Sequence, residues 1–264
     1  MHTFGSRRDI DGLRALAVIP VVLFHFGFST FSGGFVGVDV FFVISGFLIT
    51  SILFREISAQ RFSFVDFWAR RARRILPALS VVLLVTLALG WLLLTAKDFS
   101  ELGRTVRYQS LFISNILFMR EDGYFQPASD LKPLLHTWSL AVEEQYYIFF
   151  PLLMVLLMRY VRHWRWMLFA VLLVSFGLNI AYIERKPDFA FFSLPTRAWE
   201  LLCGAMLAVV PAPKQPIRPW LYQFVGVAGL AAVLVAASGT VSVTSFTPGS
   251  ARARGRARGR GSSR

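Results

Sequence analysis

The sequence predicts an all-α fold, a polytopic helix bundle in a membrane, and three observations carry that prediction. The 264 residues are 55% hydrophobic with a mean hydropathy of +0.56, more apolar than a water-soluble domain. The apolar residues come in blocks rather than amphipathic stripes, and seven blocks are long enough to cross a hydrocarbon core of roughly 30 Å as helices. They cover residues 13–31, 35–54, 76–95, 134–158, 166–183, 189–210 and 220–237. Lysine and arginine then alternate in density from loop to loop. With the N-terminus inside, the inner segments hold fourteen of them and the outer segments seven. That bias places the N-terminus in the cytoplasm, in a multi-pass protein of the plasma (inner) membrane.

The first block follows Arg7 and Arg8, as a signal peptide would. It runs longer than a signal core, has no small-x-small cleavage site, and is followed three residues later by another apolar block, so it reads as a retained helix. Arg14 and His25 lie on it eleven residues apart. Eleven steps of 100° make three turns plus roughly 20°, so both side chains share one face about 16 Å apart along the axis. The expected depth puts Arg14 at the interface and His25 well inside the hydrocarbon, where an ionisable group marks a functional site.

Ser32-Gly33-Gly34 is a short uncharged turn, which makes the first two helices an antiparallel hairpin. Gly37 and Gly46 on the second helix allow close backbone approach. Asp39 lies about a turn inside the boundary, with two readings, an interfacial acid reaching headgroup water or a member of the site. Before the third block stand Arg70, Arg71, Arg73 and Arg74. They read either as topology anchors that bind anionic lipid or as a phosphate clamp, with Arg71 and Arg74 on one helix face at i,i+3. Pro77 is expected to start that span.

Residues 96–133 form the longest outer segment. Its apolar stretch 111–118 is too short to span, so it either lies in the interface or re-enters toward the bundle. In the fourth block Glu143 and Glu144 project about 100° apart, so at most one readily points into the bundle. Trp138, Tyr146 and Tyr147 are interface-belt aromatics or substrate contacts, and His136 sits at the water boundary. In the sixth block Arg197 and Glu200 stand at i,i+3, either an internal ion pair or a pair lining a reaction channel. The single cysteine, Cys203, excludes an internal disulfide.

The last residues break the pattern. From Ala251 onward arginine alternates with alanine or glycine, and six arginines raise the formal charge from +7 to +13. Residues 241–264 are expected to be a disordered tail, because nothing in them buries a core. An RNA-binding arm is one reading. The preferred one is an out-of-frame reading of a longer gene, since GC-rich DNA encodes such an alternation, and no nucleic-acid partner is expected.

Taken as an ordered set, these stretches resemble the acyltransferase 3 family of integral membrane O-acyltransferases. The resemblance rests on Asp9-x-Asp11-Gly12-x-Arg14 with Arg14-x10-His25, and on Gly34-Phe35-Val36-Gly37-Val38-Asp39-x-Phe41-Phe42-x-x-Ser45-Gly46-Phe47. Arg71-x-x-Arg74-Ile75-x-Pro77, Trp138-Ser139-Leu140-x-Val142-Glu143-Glu144-Gln145-Tyr146-Tyr147 and Arg197-x-x-Glu200-x-x-x-Gly204 agree with it. It implies a bundle of about ten helices, of which residues 1–240 would supply about seven. It further implies transfer of an acyl group, usually acetyl, from cytosolic acyl-CoA to a hydroxyl of a cell-surface carbohydrate such as lipopolysaccharide O-antigen or exopolysaccharide. On that footing His25 is the expected catalytic residue, and Arg14, Arg71 and Arg74 the donor-binding residues.

Acyl transfer needs a base for the acceptor hydroxyl and donors for the developing oxyanion. Neutral imidazole at His25 suits the first task, with Glu143 or Glu144 orienting a ring nitrogen or the sugar. Arginine's fork fits the phosphates of the CoA donor. Asp39, Arg197 and Glu200 are candidate supports of the site. No bound cofactor or metal is expected, and the expected partners are acyl-CoA, the carbohydrate acceptor and the bilayer. A flippase-like transporter, or an inactive fragment, is the alternative.

Overall fold

The computed structural model describes residues 8–121, 132–211 and 219–238; the expected tail lies outside the described residues. Among them all regular structure is helical. The elements are α1 (Arg8–His25), α2 (Val36–Ser58), α3 (Phe64–Leu93), α4 (Ala96–Ser110), α5 (Ser114–Arg120), α6 (Trp138–Tyr160), α7 (Trp164–Ile183), α8 (Pro187–Phe192), α9 (Leu194–Val209) and α10 (Pro219–Ala237). Single 3-10 turns lie at Ser29–Phe31 and Leu135–Thr137.

Each of the seven expected blocks is helical, but four helices among the described residues are long and apolar enough to cross a membrane. These are α2, α3, α6 with its preceding turn, and α7. The chain is therefore a helical membrane protein. α1 differs because Arg8, Asp9, Asp11 and Arg14 occupy its first two turns. The sixth block is broken at Ser193, whose extended backbone (φ −88°, ψ 138°) separates α8 from α9, with Pro195 in the first turn of α9.

Two boundaries differ in ways that matter for the site. α1 ends at His25, not at Phe31. Gly27 takes a left-handed conformation (φ +76°), its N–H donates to the Phe24 carbonyl, and the Phe28 N–H donates to the Leu23 carbonyl. That is a Schellman cap, which glycine permits because it has no Cβ. α3 starts twelve residues earlier than the third block. Ser63 caps it by accepting from the Asp66 N–H at 3.3 Å. Arg70 to Arg74 thus lie on the helix itself, and Pro77 is inside it rather than at its start.

The chain divides into two compact units, Met1–Phe41 with Ala212–Arg264, and Phe42–Pro211. In the first, α1 and the start of α2 form the expected antiparallel hairpin with backbones in contact. A Cβ on Gly34 would fall on the Pro20 carbonyl oxygen, and one on Gly37 on the Ala17 carbonyl oxygen. In the second, a Cβ on Gly46 of α2 would fall on the Leu201 carbonyl oxygen, and one on Gly204 of α9 on the Val43 carbonyl oxygen. Small residues in both helices hold that crossing together, as van der Waals contact must do where lipid is as apolar as leucine. Around it are buried Ile49 and Leu53 of α2, Met154 of α6, Leu168 of α7, and Leu201, Leu202 and Ala205 of α9.

The stretch 111–118 packs into the bundle. Ser114, Asn115, Leu117 and Phe118 of α5 are buried, and α5 lies against α6 and α8. The Gln145 amide on α6 donates to both Asn115 Oδ1 and the Phe112 carbonyl at 2.8 Å, and Asn115 Nδ2 donates to the Phe192 carbonyl at 3.0 Å. These bonds satisfy polar groups that would otherwise be costly in an apolar interior. They pin the re-entrant turn to the bundle.

Candidate functional site

In the unit Phe42–Pro211, α6 carries most of the candidate groups. Glu143 is buried, with 8% of its surface exposed, and Glu144 is half-buried. The two diverge as the 100° step requires. The Tyr147 hydroxyl, one turn further along α6, donates to Glu143 Oε1. Glu144 Oε1 is buried with no hydrogen-bond partner among the described residues.

α3 meets this face of α6. The Trp68 indole N–H donates to the Tyr147 carbonyl at 3.1 Å. The Arg71 guanidinium lies over the Tyr147 ring, 4.1 Å from its centroid, a cation–π contact. The four clustered arginines therefore part company. Arg70 pairs with Glu56 at 2.9 Å, Arg71 reaches into the bundle, and Arg73 and Arg74 are exposed. Arg71 and Arg74 share a helix, as the i,i+3 spacing demands, yet of the two Arg71 is half-buried and lies over Tyr147, the residue that donates to Glu143, whereas Arg74 is exposed.

A second cluster lies at the start of α6. Arg197 Nη1 donates to Glu200 Oε1 at 2.7 Å, and Arg197 Nε donates to the Phe191 carbonyl at 3.0 Å. The same guanidinium stands 4.8 Å from the Phe191 ring centroid and 5.7 Å from that of Trp138. Glu200 is 1% exposed. The i,i+3 pair is thus an internal ion pair, the first of the two readings of its spacing. Trp138 is nine residues from Tyr147, about 13.5 Å along the axis, so α6 spaces the two charged clusters.

In the unit Met1–Phe41 with Ala212–Arg264, the Arg14 guanidinium stands 5.4 Å from the Phe41 centroid. Its Nε is buried with no hydrogen-bond partner among the described residues. Asp39 lies in the first turn of α2, a turn inside its start as expected, and is half-buried. His25 differs from expectation: it occupies the last turn of α1 and its ring is exposed. The Schellman cap at Gly27 is the cause, because it stops the helix before the apolar block ends. His25 Nδ1 lies 2.8 Å from the Val21 carbonyl oxygen, four residues back on the same helix, and donates to it. With the proton on Nδ1, a neutral ring carries its lone pair on Nε2. The Val21 carbonyl is thus a hydrogen-bond partner of the His25 ring.

The motifs did not single out Asn115 and Gln145, and they read Tyr147 as a belt aromatic or a substrate contact. An uncharged polar side chain inside an apolar block is the signal that marks the two amides. The amides and the neighbouring Tyr146 also line a cavity of about 840 Å³, with Phe150, Ala198 and Leu202. Glu143 and Tyr147 are not among its walls, so it opens on another side of α6. Among the described residues no group of three or more His, Cys, Asp or Glu is placed to hold a metal ion.

Comparison with known proteins matches this sequence to one family. A family model described as an acyltransferase domain, acyltransferase 3, matches residues 7–252. The O-acetyltransferase OatA of Staphylococcus aureus (strain NCTC 8325 / PS 47) is 34% identical over 236 residues, covering 85% of this chain and 39% of that protein. A protein of Staphylococcus aureus (strain COL), provisionally named an O-acetyltransferase, is 37% identical over 211 residues, covering 77% of this chain and 35% of its own length. The chain thus spans between a third and two-fifths of the length of these relatives. No solved structure matches it. With the family's pattern running through α1, α2, α3, α6 and α9, the chain belongs to the acyltransferase 3 family of acyltransferase domains.

Proposed function

We propose that this chain is a membrane O-acyltransferase that moves an acyl group, acetyl above all, from cytosolic acyl-CoA to a hydroxyl of a cell-surface carbohydrate. Its place is the plasma (inner) membrane with the N-terminus in the cytoplasm, on the charge bias of its loops. The observation that carries the reading is Arg71, a cation of the basic start of α3 held over the ring of Tyr147, whose hydroxyl donates to Glu143. Membership of an acyltransferase family supplies the reaction class, and the similarity to OatA, named an O-acetyltransferase, favours an oxygen acceptor and an acetyl group.

The chemistry assigned to each residue follows from its own atoms. His25 Nε2 takes the proton of the acceptor hydroxyl while Nδ1–H stays on the Val21 carbonyl. The alkoxide oxygen bonds to the thioester carbonyl carbon, the C–S bond breaks, and the CoA thiolate recovers the proton from His25. Arg71, Arg74 and Arg14 hold donor phosphates, and Arg14 suits that role because its buried Nε–H has no hydrogen-bond partner among the described residues. Glu143 and Glu144 hold the acceptor hydroxyls, and Asp39, Arg197 and Glu200 support the elements that carry these groups.

The test uses membranes from cells expressing the chain, supplied with acetyl-CoA labelled in the acetyl group. Label is expected in surface glycan, and His25→Ala at equal membrane levels should lower its appearance at least about a hundredfold, the usual size of a lost general base. Transfer by His25→Ala at the parent rate overturns the assignment. Movement of glycan without label overturns the enzyme in favour of transport.

A further inference from the structure

Besides an edge contact with the Tyr146 ring, Tyr147 meets a separate partner with each of its hydroxyl, ring face and carbonyl, and none of these three is the generic contact of an interface aromatic. Its hydroxyl donates to Glu143 Oε1, its ring lies beneath the Arg71 guanidinium at 4.1 Å, and its carbonyl accepts from the Trp68 indole at 3.1 Å. The residue is 2% exposed, so all three are made away from bulk water. Hydrogen bonds and cation–π contacts are both stronger there than at a surface. Its neighbour Tyr146 behaves differently, stacking on Phe150 at 4.4 Å between centroids. Only one of the adjacent tyrosines therefore joins a cation to a carboxylate.

We propose that Tyr147 is a positioning residue that couples Arg71 to Glu143, so that occupation of the donor side sets the carboxylate that receives the acceptor. The inference rests on the acyl-transfer reading above and assigns within it a role to a residue with no reactive atom of its own. The hydroxyl holds Oε1 and leaves Oε2 as the oxygen that Glu143 presents. The ring holds the guanidinium carbon over its face, which leaves N–H groups of Arg71 to meet a phosphate. A donor anion that draws Arg71 away from the ring frees the ring to shift, and the hydroxyl carries that shift to Glu143. The Trp68 contact fixes the backbone of this turn of α6, so the movement is confined to the side chain.

The two halves of the coupling are separable by substitution. Tyr147→Phe keeps the ring under Arg71 and removes the bond to Glu143. At equal membrane levels it should lower kcat about tenfold, the size of one hydrogen bond to a charged group, and leave KM for acyl-CoA within about twofold. Tyr147→Leu removes the ring as well and should raise KM for acyl-CoA about fivefold in addition. A double-mutant cycle supplies the readout that a merely structural tyrosine would not move. In a Glu143→Gln background, Tyr147→Phe should change kcat less than about twofold, because the group it acts through is already altered. Additive losses in that cycle, or equal KM values in the Phe and Leu variants, overturn the role of Tyr147 and leave acyl transfer standing. Absence of label transfer by the parent chain overturns the acyl-transfer reading and the role that rests on it.

Discussion

Replacing Arg197 by methionine tests the internal ion pair of α9. The substitution keeps an apolar stem of similar reach but removes the 2.7 Å bond to Glu200, the 3.0 Å bond to the Phe191 carbonyl, and the guanidinium contacts to Phe191 and Trp138. Glu200 is 1% exposed, so its carboxylate loses this cation where water does not replace it. Breaking a buried pair from one side costs about 3–5 kcal/mol. At roughly 2–4 °C per kcal/mol for a chain of this size, the midpoint of thermal unfolding in detergent should fall by on the order of 10 °C. Adding Glu200→Gln to Arg197→Met removes the buried negative charge as well, and at least half of the loss should return. Thermal aggregation of the solubilised protein, followed by loss of the monodisperse peak, reads both variants. The reasoning is refuted if Arg197→Met leaves the midpoint unchanged, or if the double variant is less stable than the single one.

Two further outcomes follow from contacts of the same kind. Gly204→Ala should destabilise by about 3 kcal/mol, because its Cβ meets the Val43 carbonyl of the crossing helix, whereas Gly177→Ala on α7 meets nothing and should be neutral or slightly stabilising in the same thermal assay. Arg71→Gln should raise KM for acyl-CoA at least tenfold and Arg74→Gln no more than about threefold, since Arg71 is half-buried over Tyr147 and Arg74 is exposed; equal effects in a labelled-donor assay would count against that division.

Much of the site was legible as a list and little of it as an arrangement. The glycines are the clearest success: Gly37 and Gly46 both mark backbone contacts, because close approach of helices leaves no other residue type room. The i,i+3 spacing of Arg197 and Glu200 also translated directly, since one helix contains both ends of the pair. Arg71 and Arg74 share that spacing and still separate, because their partners lie on another helix, whose rotation no spacing within α3 encodes. The end of α1 was readable in principle from Gly27, but the apolar residues around it, Phe26 and Phe28, masked the stop.

By itself the sequence determined that the chain is helical, where its apolar blocks lie, and which polar side chains are out of place among them. Those properties are local: they depend on the transfer of one segment at a time from water to lipid, and the cost of each buried charge is paid within its own helix. Only the tertiary structure decided which faces meet, and so that Arg71 rather than Arg74 covers Tyr147, that Tyr147 binds Glu143, and that Asn115 and Gln145 pin the re-entrant turn. The physical reason is the solvent. A helix in lipid is apolar on its outer and inner faces alike, so periodicity does not distinguish them. Its rotation is set instead by where two glycines let backbones touch and where a few polar groups find one another.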